Sequence, residues 1–427
     1  MLLVEDRENQ ISSATEANKS PFVYILGAES LIIMSYLFLV SIICILFLSG
    51  TVATYLGIEN TVTFAYTPFV VYFLVHLRRF RWSHVTKLMV VVIGFAVFAY
   101  VFRLIGLEQD YFKSYLTFLV LPMLLAIDLE NEGVQRLSLL RISLVVFFII
   151  ECGIAIYEKW TGTYIFYDPT SVLTSHQLQY YSIEDWEFRS YGLFSHPLMN
   201  AMIVCMVMSF ILISNMQMKY KLILFALGYA SLWCFNARGA IIVSSVLMVP
   251  YLLRSLYQSN IKKKAWIYAA FILFSVIFVQ QLLTTSLGGR LLAGEGGLVD
   301  GSSQARIDVF TFYEYITSFQ LWLGDPNLYL YVKEMLHAGG VENGIVTIIL
   351  REGIVFTVII LLLLLRVQLK QTSFLDRYTK LFLFAIFYII GVMNPNLASS
   401  LPWTFWILGF YGFVGVEKHS WLKNERE

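Results

Sequence analysis

Apolar runs, many approaching the roughly 20 residues of a bilayer span, recur along this chain between basic or polar stretches, and nothing else in the sequence limits its fold so strongly. A helix needs about 20 apolar residues to cross the hydrocarbon core of a bilayer. In that solvent every backbone polar group must be satisfied within the protein, which leaves helices or closed barrels. The composition agrees: 58% of residues are hydrophobic, 14% are charged and the mean hydropathy is +0.70, whereas a soluble domain carries about 25% charged residues. The expected class is an all-α polytopic membrane protein with the lipid bilayer as its surroundings. The formal net charge of +1 offers no basic excess, and nucleic acid is not an expected partner.

The apolar runs predict about twelve transmembrane helices. They fall near residues 31–48, 63–77, 88–107, 115–127, 142–157, 198–213, two within 222–253, then 266–283, 354–365, 381–392 and 403–416. Residues 222–253 are too long for one span, and Asn236-Ala237-Arg238-Gly239 sits at their middle. Two short spans with Arg238 at an outer turn keep Arg254 and Lys262 to Lys264 inside, following the positive-inside bias. Arg78, Arg79, Arg81 and Lys87 place the early loop inside as well. Both termini are then inside, and two large loops, 158–197 and 284–342, face outward from a single domain spanning 1–427. The first twenty residues are polar and mixed in charge, so no removable secretory signal is expected. Cys44, Cys152, Cys205 and Cys234 all lie in apolar runs and read as buried small hydrophobes, not as a disulfide framework or metal set.

The second outer loop is polar, Gly-rich and aromatic. Loops of this length are usually functional or disordered; helix-like spacing over 305–319 and the aromatics Tyr313, Trp322 and Tyr329 favour an ordered one. These rings could stack on sugars or pack the interior of the loop, the second being the plainer reading. Arg189, Arg238, Arg290, Arg306 and Arg351 are not explained by topology. The arginine fork suits phosphate and carboxylate oxygens, so a group of them at the outer boundary suits an anionic lipid headgroup such as a pyrophosphate. The alternative is that each pairs with a nearby acid. Arg238, held between apolar runs, is the strongest candidate, because intramembrane charge is costly. His196-Pro197 reads as a helix start or as a chemical histidine. Asn343 reads as a helix cap, with Glu342 beside it as a possible base. No Gly-rich phosphate loop ends in Lys-Ser or Lys-Thr, and no His-Glu-x-x-His is present, so neither an ATPase nor a zinc protease motif is encoded. No cofactor and no metal site is expected.

Four segments together resemble the O-antigen polymerase and O-antigen ligase superfamily of bacterial cell-envelope enzymes. They are Arg189-Ser-Tyr-Gly-Leu-Phe-Ser-His196-Pro197-Leu-Met-Asn200; Asn236-Ala-Arg238-Gly239-Ala240; Ser303-Gln-Ala-Arg306 with the aromatic stretch to Leu323-Gly324-Asp325; and Glu342-Asn343 through Arg351-Glu352-Gly353-Ile354. In the last, the family often has His-Asn where this chain has Glu342-Asn343, a departure that favours polymerase over ligase. Leu198 stands where an Asn often follows His-Pro.

The resemblance implies a metal-independent glycosyltransferase in the bacterial inner membrane, with its active site on the outer face. Its substrates would be oligosaccharide repeats linked to undecaprenyl pyrophosphate, polymerised into O-antigen, capsule or exopolysaccharide. A chain-length regulator is the kind of protein partner this activity implies. Arg189, Arg238 and Arg306, with Arg290, would bind the pyrophosphate and glycan; Glu342, or His196, would accept the proton of the attacking hydroxyl. The alternatives are a ligase that transfers glycan to a lipid core, and a glycan flippase. A flippase should show internal repeats, broken helices with midplane polar groups, and small outer loops.

Overall fold

The computed structural model describes residues 21–58, 61–77, 82–107, 110–166, 188–194, 196–257, 280, 309–325, 327–335, 341, 343–393 and 395–417. Among these residues the chain is helical throughout, with no strand. The principal helices are α1 (Pro21–Leu48), α2 (Thr61–His76), α3 (His84–Gly106), α4 (Phe112–Glu130), α5 (Val134–Thr161), α6 (Pro197–Ile213), α7 (Met218–Cys234) and α8 (Arg238–Tyr257). They continue with α9 (Ser318–Leu323), α10 (Leu328–Met335), α11 (Gly344–Gln371), α12 (Arg377–Val392) and α13 (Ser400–Gly409), which runs on as a π-helical turn over Phe410–Gly415. Five of them, α3, α4, α5, α8 over Arg238–Ser255, and α11, are long and apolar enough to cross a membrane. Three shorter apolar helices are Ile32–Leu48, Thr61–His76 and Pro197–Ile213.

The helix ends follow local chemistry. The Ser83 hydroxyl accepts from Thr86 N at the start of α3 (3.0 Å). Asp376 caps α12 by accepting from Tyr378 N and Thr379 N (3.0 and 3.1 Å). Asn343 caps α11 as expected, its Oδ1 accepting from Ile345 N and Val346 N at 3.0 and 3.1 Å. Each such side chain satisfies amides that have no partner inside the helix.

The centre of the bundle is α6 with α13. All of α13, and all of α6 except Leu198 and Ile213, are buried. A helix apolar on every side must be surrounded by protein or lipid, and here it is protein. α3, by contrast, leaves Val91, Val97, Phe98 and Ile105 exposed, the outward apolar surface that a membrane helix turns to lipid.

The apolar stretch 222–253 is broken into two helices as the sequence predicts, at Asn236 and Ala237. Asn236 takes the left-handed backbone (φ 50°), which asparagine tolerates better than most residues. The single helix expected over 305–319 is not formed across its described part. Val309–Tyr315 is a 3₁₀ turn, and α9 starts separately after Thr317. The reason is a capping box: Thr317 Oγ1 accepts from Gln320 N (3.2 Å) while Gln320 Oε1 accepts from Thr317 N (3.0 Å), which fixes a new helix start. α5 continues to Thr161, ending at Gly162 in the left-handed conformation (φ 67°), so Glu158 lies on a helix and not in the loop that follows. The ninth expected span, 266–283, lies outside the described residues except for Gln280.

Candidate functional site

The last three turns of α5 carry Glu151 and Glu158, seven residues apart and so on one helix face. Both are buried, and both receive backbone amides from the segment 188–194. Glu158 Oε2 accepts from Tyr191 N (2.8 Å) and Gly192 N (3.1 Å), and its Oε1 accepts from Ile165 N (3.1 Å). Glu151 Oε2 accepts from Leu193 N (3.0 Å). Asn200 Oδ1 accepts from Phe194 N (3.1 Å), and its Nδ2 donates to Tyr191 O. Amides of a non-helical segment would otherwise be buried without partners, at a few kcal/mol each.

Three further bonds hold the segment beside α5 and α7. Ser190 Oγ donates to Ala155 O (2.6 Å), and Ser190 N donates to Cys234 O (3.0 Å). Lys159 Nζ donates to Phe188 O (2.8 Å). Gly192 is required here: its φ is +53°, and a Cβ would overlap Glu151 Oε1 and lie 3.1 Å from Asn200 Nδ2.

Arg189 therefore sits between two residues whose backbones are tied to α5 and to the end of α7. That end leads through Asn236 to Arg238, the first residue of α8. Both arginines are partly buried. His196 is the N-cap residue of α6, with Pro197 in the first turn, and its side chain is exposed. Surrounding protein on its closed sides, and the charge of Arg189, push its imidazole pKa below the ordinary value. The structure thus gathers the Arg189 segment, the Arg238 turn and His196 at one end of the bundle. Arg290, Arg306 and Glu342 lie outside the described residues, as does His337.

Beside α3, α4 and α11 lies a second group, which sequence reasoning did not assemble. Arg103 is fully buried. Its Nη2 donates to Glu352 O (2.6 Å) and stands 3.6 Å from Glu352 Oε2. Its guanidinium carbon lies over the Tyr111 and Phe356 rings, 4.3 and 4.6 Å from their centroids. Tyr115 Oη donates to Glu352 Oε2 (2.6 Å), and Tyr111 Oη donates to Arg351 O (2.5 Å). Arg351 donates to Ser114 Oγ and, from Nη1, to Ala398 O (3.3 Å). A small crevice is lined by Arg351 and Glu352 with Phe118, Ile348 and Ala398. The available signal was a charge inside each of two apolar runs, Arg103 and Glu352; their pairing, 249 residues apart, has no local signature.

The aromatics of the second loop divide. Tyr329 packs on a small apolar cluster of Val309, Phe312, Leu328, Val332, Val341, Val346 and Leu350. Tyr313 and Trp322 are more than half exposed, at 57% and 54%, with Tyr313 edge-on to Phe312. Of the four cysteines, Cys152 and Cys205 are buried as expected, whereas Cys44 and Cys234 are only partly buried. A third polar group, His76, Asp128 and Glu132, has metal-ligand spacing; it surrounds the start of α5, at the opposite end of that helix from Glu158. Comparison of the chain with family models, with characterised proteins and with solved structures gives no match.

Proposed function

We propose that the chain polymerises lipid-linked oligosaccharide repeat units, moving a growing glycan from undecaprenyl pyrophosphate onto the sugar of a second lipid-linked repeat. The acceptor hydroxyl attacks the anomeric carbon, the bond from that carbon to the pyrophosphate oxygen breaks, and the hydroxyl proton passes to a base. The leaving pyrophosphate gains negative charge, which fixed arginine donors stabilise. The observation that carries this reading is the fastening of the Arg189 segment to the carboxylates of Glu151 and Glu158 and to the turn that leads to Arg238. It holds two arginine-bearing segments in register through backbone amides and carboxyl oxygens. Preorganised donors of this kind are what a transition state of growing charge requires. The exposed Tyr313 and Trp322 add flat apolar surface suited to sugar rings.

In this proposal the protein crosses the bacterial inner membrane about twelve times, with the Arg189 end of the bundle outward. Arg290 and Arg306 complete the anion site, and Glu342 or His196 accepts the proton. The test is reconstitution of the purified chain in vesicles with a lipid-linked repeat as sole substrate. A ladder of lipid-linked polymers, lost in Arg189→Ala and Arg238→Ala, is the expected result. Transfer only to a lipid-core acceptor would assign a ligase, and translocation of the intact repeat without elongation would assign a flippase.

A further inference from the structure

His76 closes α2, Asp128 lies in the last turn of α4, Glu132 follows in the turn before α5, and Arg136 is in the first turn of α5. Three elements thus bring one imidazole and two carboxylates together, all buried. One ligand atom from each of His76, Asp128 and Glu132 lies within 4.8 Å of the other two. The individual separations are more telling. His76 Nδ1 is 3.1 Å from Asp128 Oδ1 and 3.5 Å from Glu132 Oε1. Two ligands about 2.1 Å from a metal at the tetrahedral angle stand about 3.4 Å apart.

The network without a metal leaves this group incompletely satisfied. Nδ1 carries at most one proton, so it can donate to Asp128 or Glu132 but not fully to both. Asp128 Oδ2 is buried and has no hydrogen-bond partner, a condition that buried carboxylate oxygens rarely tolerate. Glu132 is otherwise well held. Arg136 Nη1 donates to its Oε2 and Oε1 (2.9 and 3.1 Å), and Tyr72 Oη donates to Oε1. Such outer hydrogen bonds are what orient a metal-binding carboxylate.

We propose that His76, Asp128 and Glu132 bind one divalent transition-metal ion, of the class typified by Zn²⁺. Imidazole Nδ1 and one oxygen from each carboxylate are its protein ligands, and water fills the fourth position. One nitrogen and two oxygens suit zinc better than calcium or magnesium, which prefer all-oxygen sites. The two carboxylates oppose the single positive charge of Arg136, leaving net negative charge for the cation. Binding displaces the Nδ1 proton and draws the ends of α2 and α4 to the start of α5. The two ends of that 28-residue helix are roughly 40 Å apart at about 1.5 Å per residue. The metal therefore takes no part in chemistry at the Arg189 end, and the proposal stands whether or not glycan transfer does.

The full-length chain, purified in detergent and stripped with chelator, is titrated with Zn²⁺ and separately with Co²⁺, followed by desalting and metal analysis. One Zn²⁺ retained per chain is expected, with a rise in thermal midpoint. Asp128→Asn and His76→Gln should each weaken binding more than about 100-fold, beyond the loss seen for outer-shell partners. The Co²⁺ form of the unaltered protein should show ligand-field bands of a nitrogen and oxygen site without thiolate charge-transfer bands, a readout that needs no variant to fold. Failure to retain zinc, equal retention by both variants, or thiolate bands from cysteine ligation would each overturn the proposal.

Discussion

Gly324 and Gly353 cross backbone to backbone, both with left-handed φ (75° and 69°). A Cβ on Gly353 would lie 2.5 Å from Gly324 N, and one on Gly324 would lie 2.6 Å from the carbonyl carbon of Glu352. At this crossing α11 is broken, Gly353 having non-helical backbone angles, and the chain leaving α9 fits into the break. Asp325 N donates to Leu350 O (3.1 Å). The crossing joins the loop that carries Trp322 to the helix that carries Arg351 and Glu352, so the two segments can only move together.

Gly353→Ala and Gly324→Ala should therefore both destabilise the protein. The strained backbone contributes about 1–3 kcal/mol, and the overlap with backbone atoms adds to it. Because the two residues share one contact, the double variant should be less damaging than the sum of the singles. Thermal unfolding in detergent measures this; additive losses would mean that the two glycines act separately.

Glu158→Gln should loosen the Arg189 segment. The amide keeps the size of the side chain but removes the charge that strengthens three hydrogen bonds from backbone amides. A loss of about 1.5–3 kcal/mol is expected, the usual range for a hydrogen bond to a charged group. Limited proteolysis should then cut near residues 188–194 faster than in the unaltered chain. An unchanged cutting rate would mean that Glu151, Lys159, Ser190 and Asn200 hold the segment without it.

Arg189 and Arg238 should differ from ordinary surface arginines in a transfer assay. Alanine at either should slow glycan transfer by roughly 10²–10³, the effect of removing one preorganised donor. Lysine should restore only part, keeping charge and losing the fork. Full activity for Arg238→Ala at equal membrane levels would remove it from the site.

The Arg103–Glu352 pair should behave as a buried ion pair. Arg103→Ala leaves Glu352 buried with Tyr115 as its one side-chain donor among the described residues, and about 3–5 kcal/mol of destabilisation is expected. Arg103→Met with Glu352→Gln, which removes both charges together, should recover much of it. If the double variant is as unstable as Arg103→Ala, the guanidinium acts through its packing on Tyr111 and Phe356 and not through charge.

The pH dependence of transfer separates the two candidate bases. The pKa of His196 is depressed in the folded protein, so its neutral, proton-accepting form persists below the ordinary histidine value of about 6.5. Activity that depends on it should hold as pH falls to 6.5 and decline only below. The same depression means that folding favours neutral His196, a contribution present above about pH 6.5 and lost as pH falls through the folded value. An acid limb above pH 6.5, or a limb unchanged in His196→Gln, would exclude His196 as the base.

The sequence by itself determined the helical membrane class, the break at Asn236 and Ala237, the start of α6 at Pro197 and the Asn343 cap. Each is a local property: an apolar run, a turn residue or a cap acts within a few neighbours and leaves its mark in consecutive residues. It also marked Arg189, Arg238 and His196 as chemically unusual without saying what holds them. Only the tertiary structure decided that Glu151 and Glu158 fasten the Arg189 segment, that Gly324 fits Gly353, and that His76 meets Asp128 and Glu132. These pairs lie far apart in the chain, and their meeting depends on how whole helices pack. A buried carboxylate on an otherwise apolar helix looks the same in sequence whether it meets an amide, an arginine or an imidazole. The chain that folds back against it decides which, because burial without a partner costs a few kcal/mol.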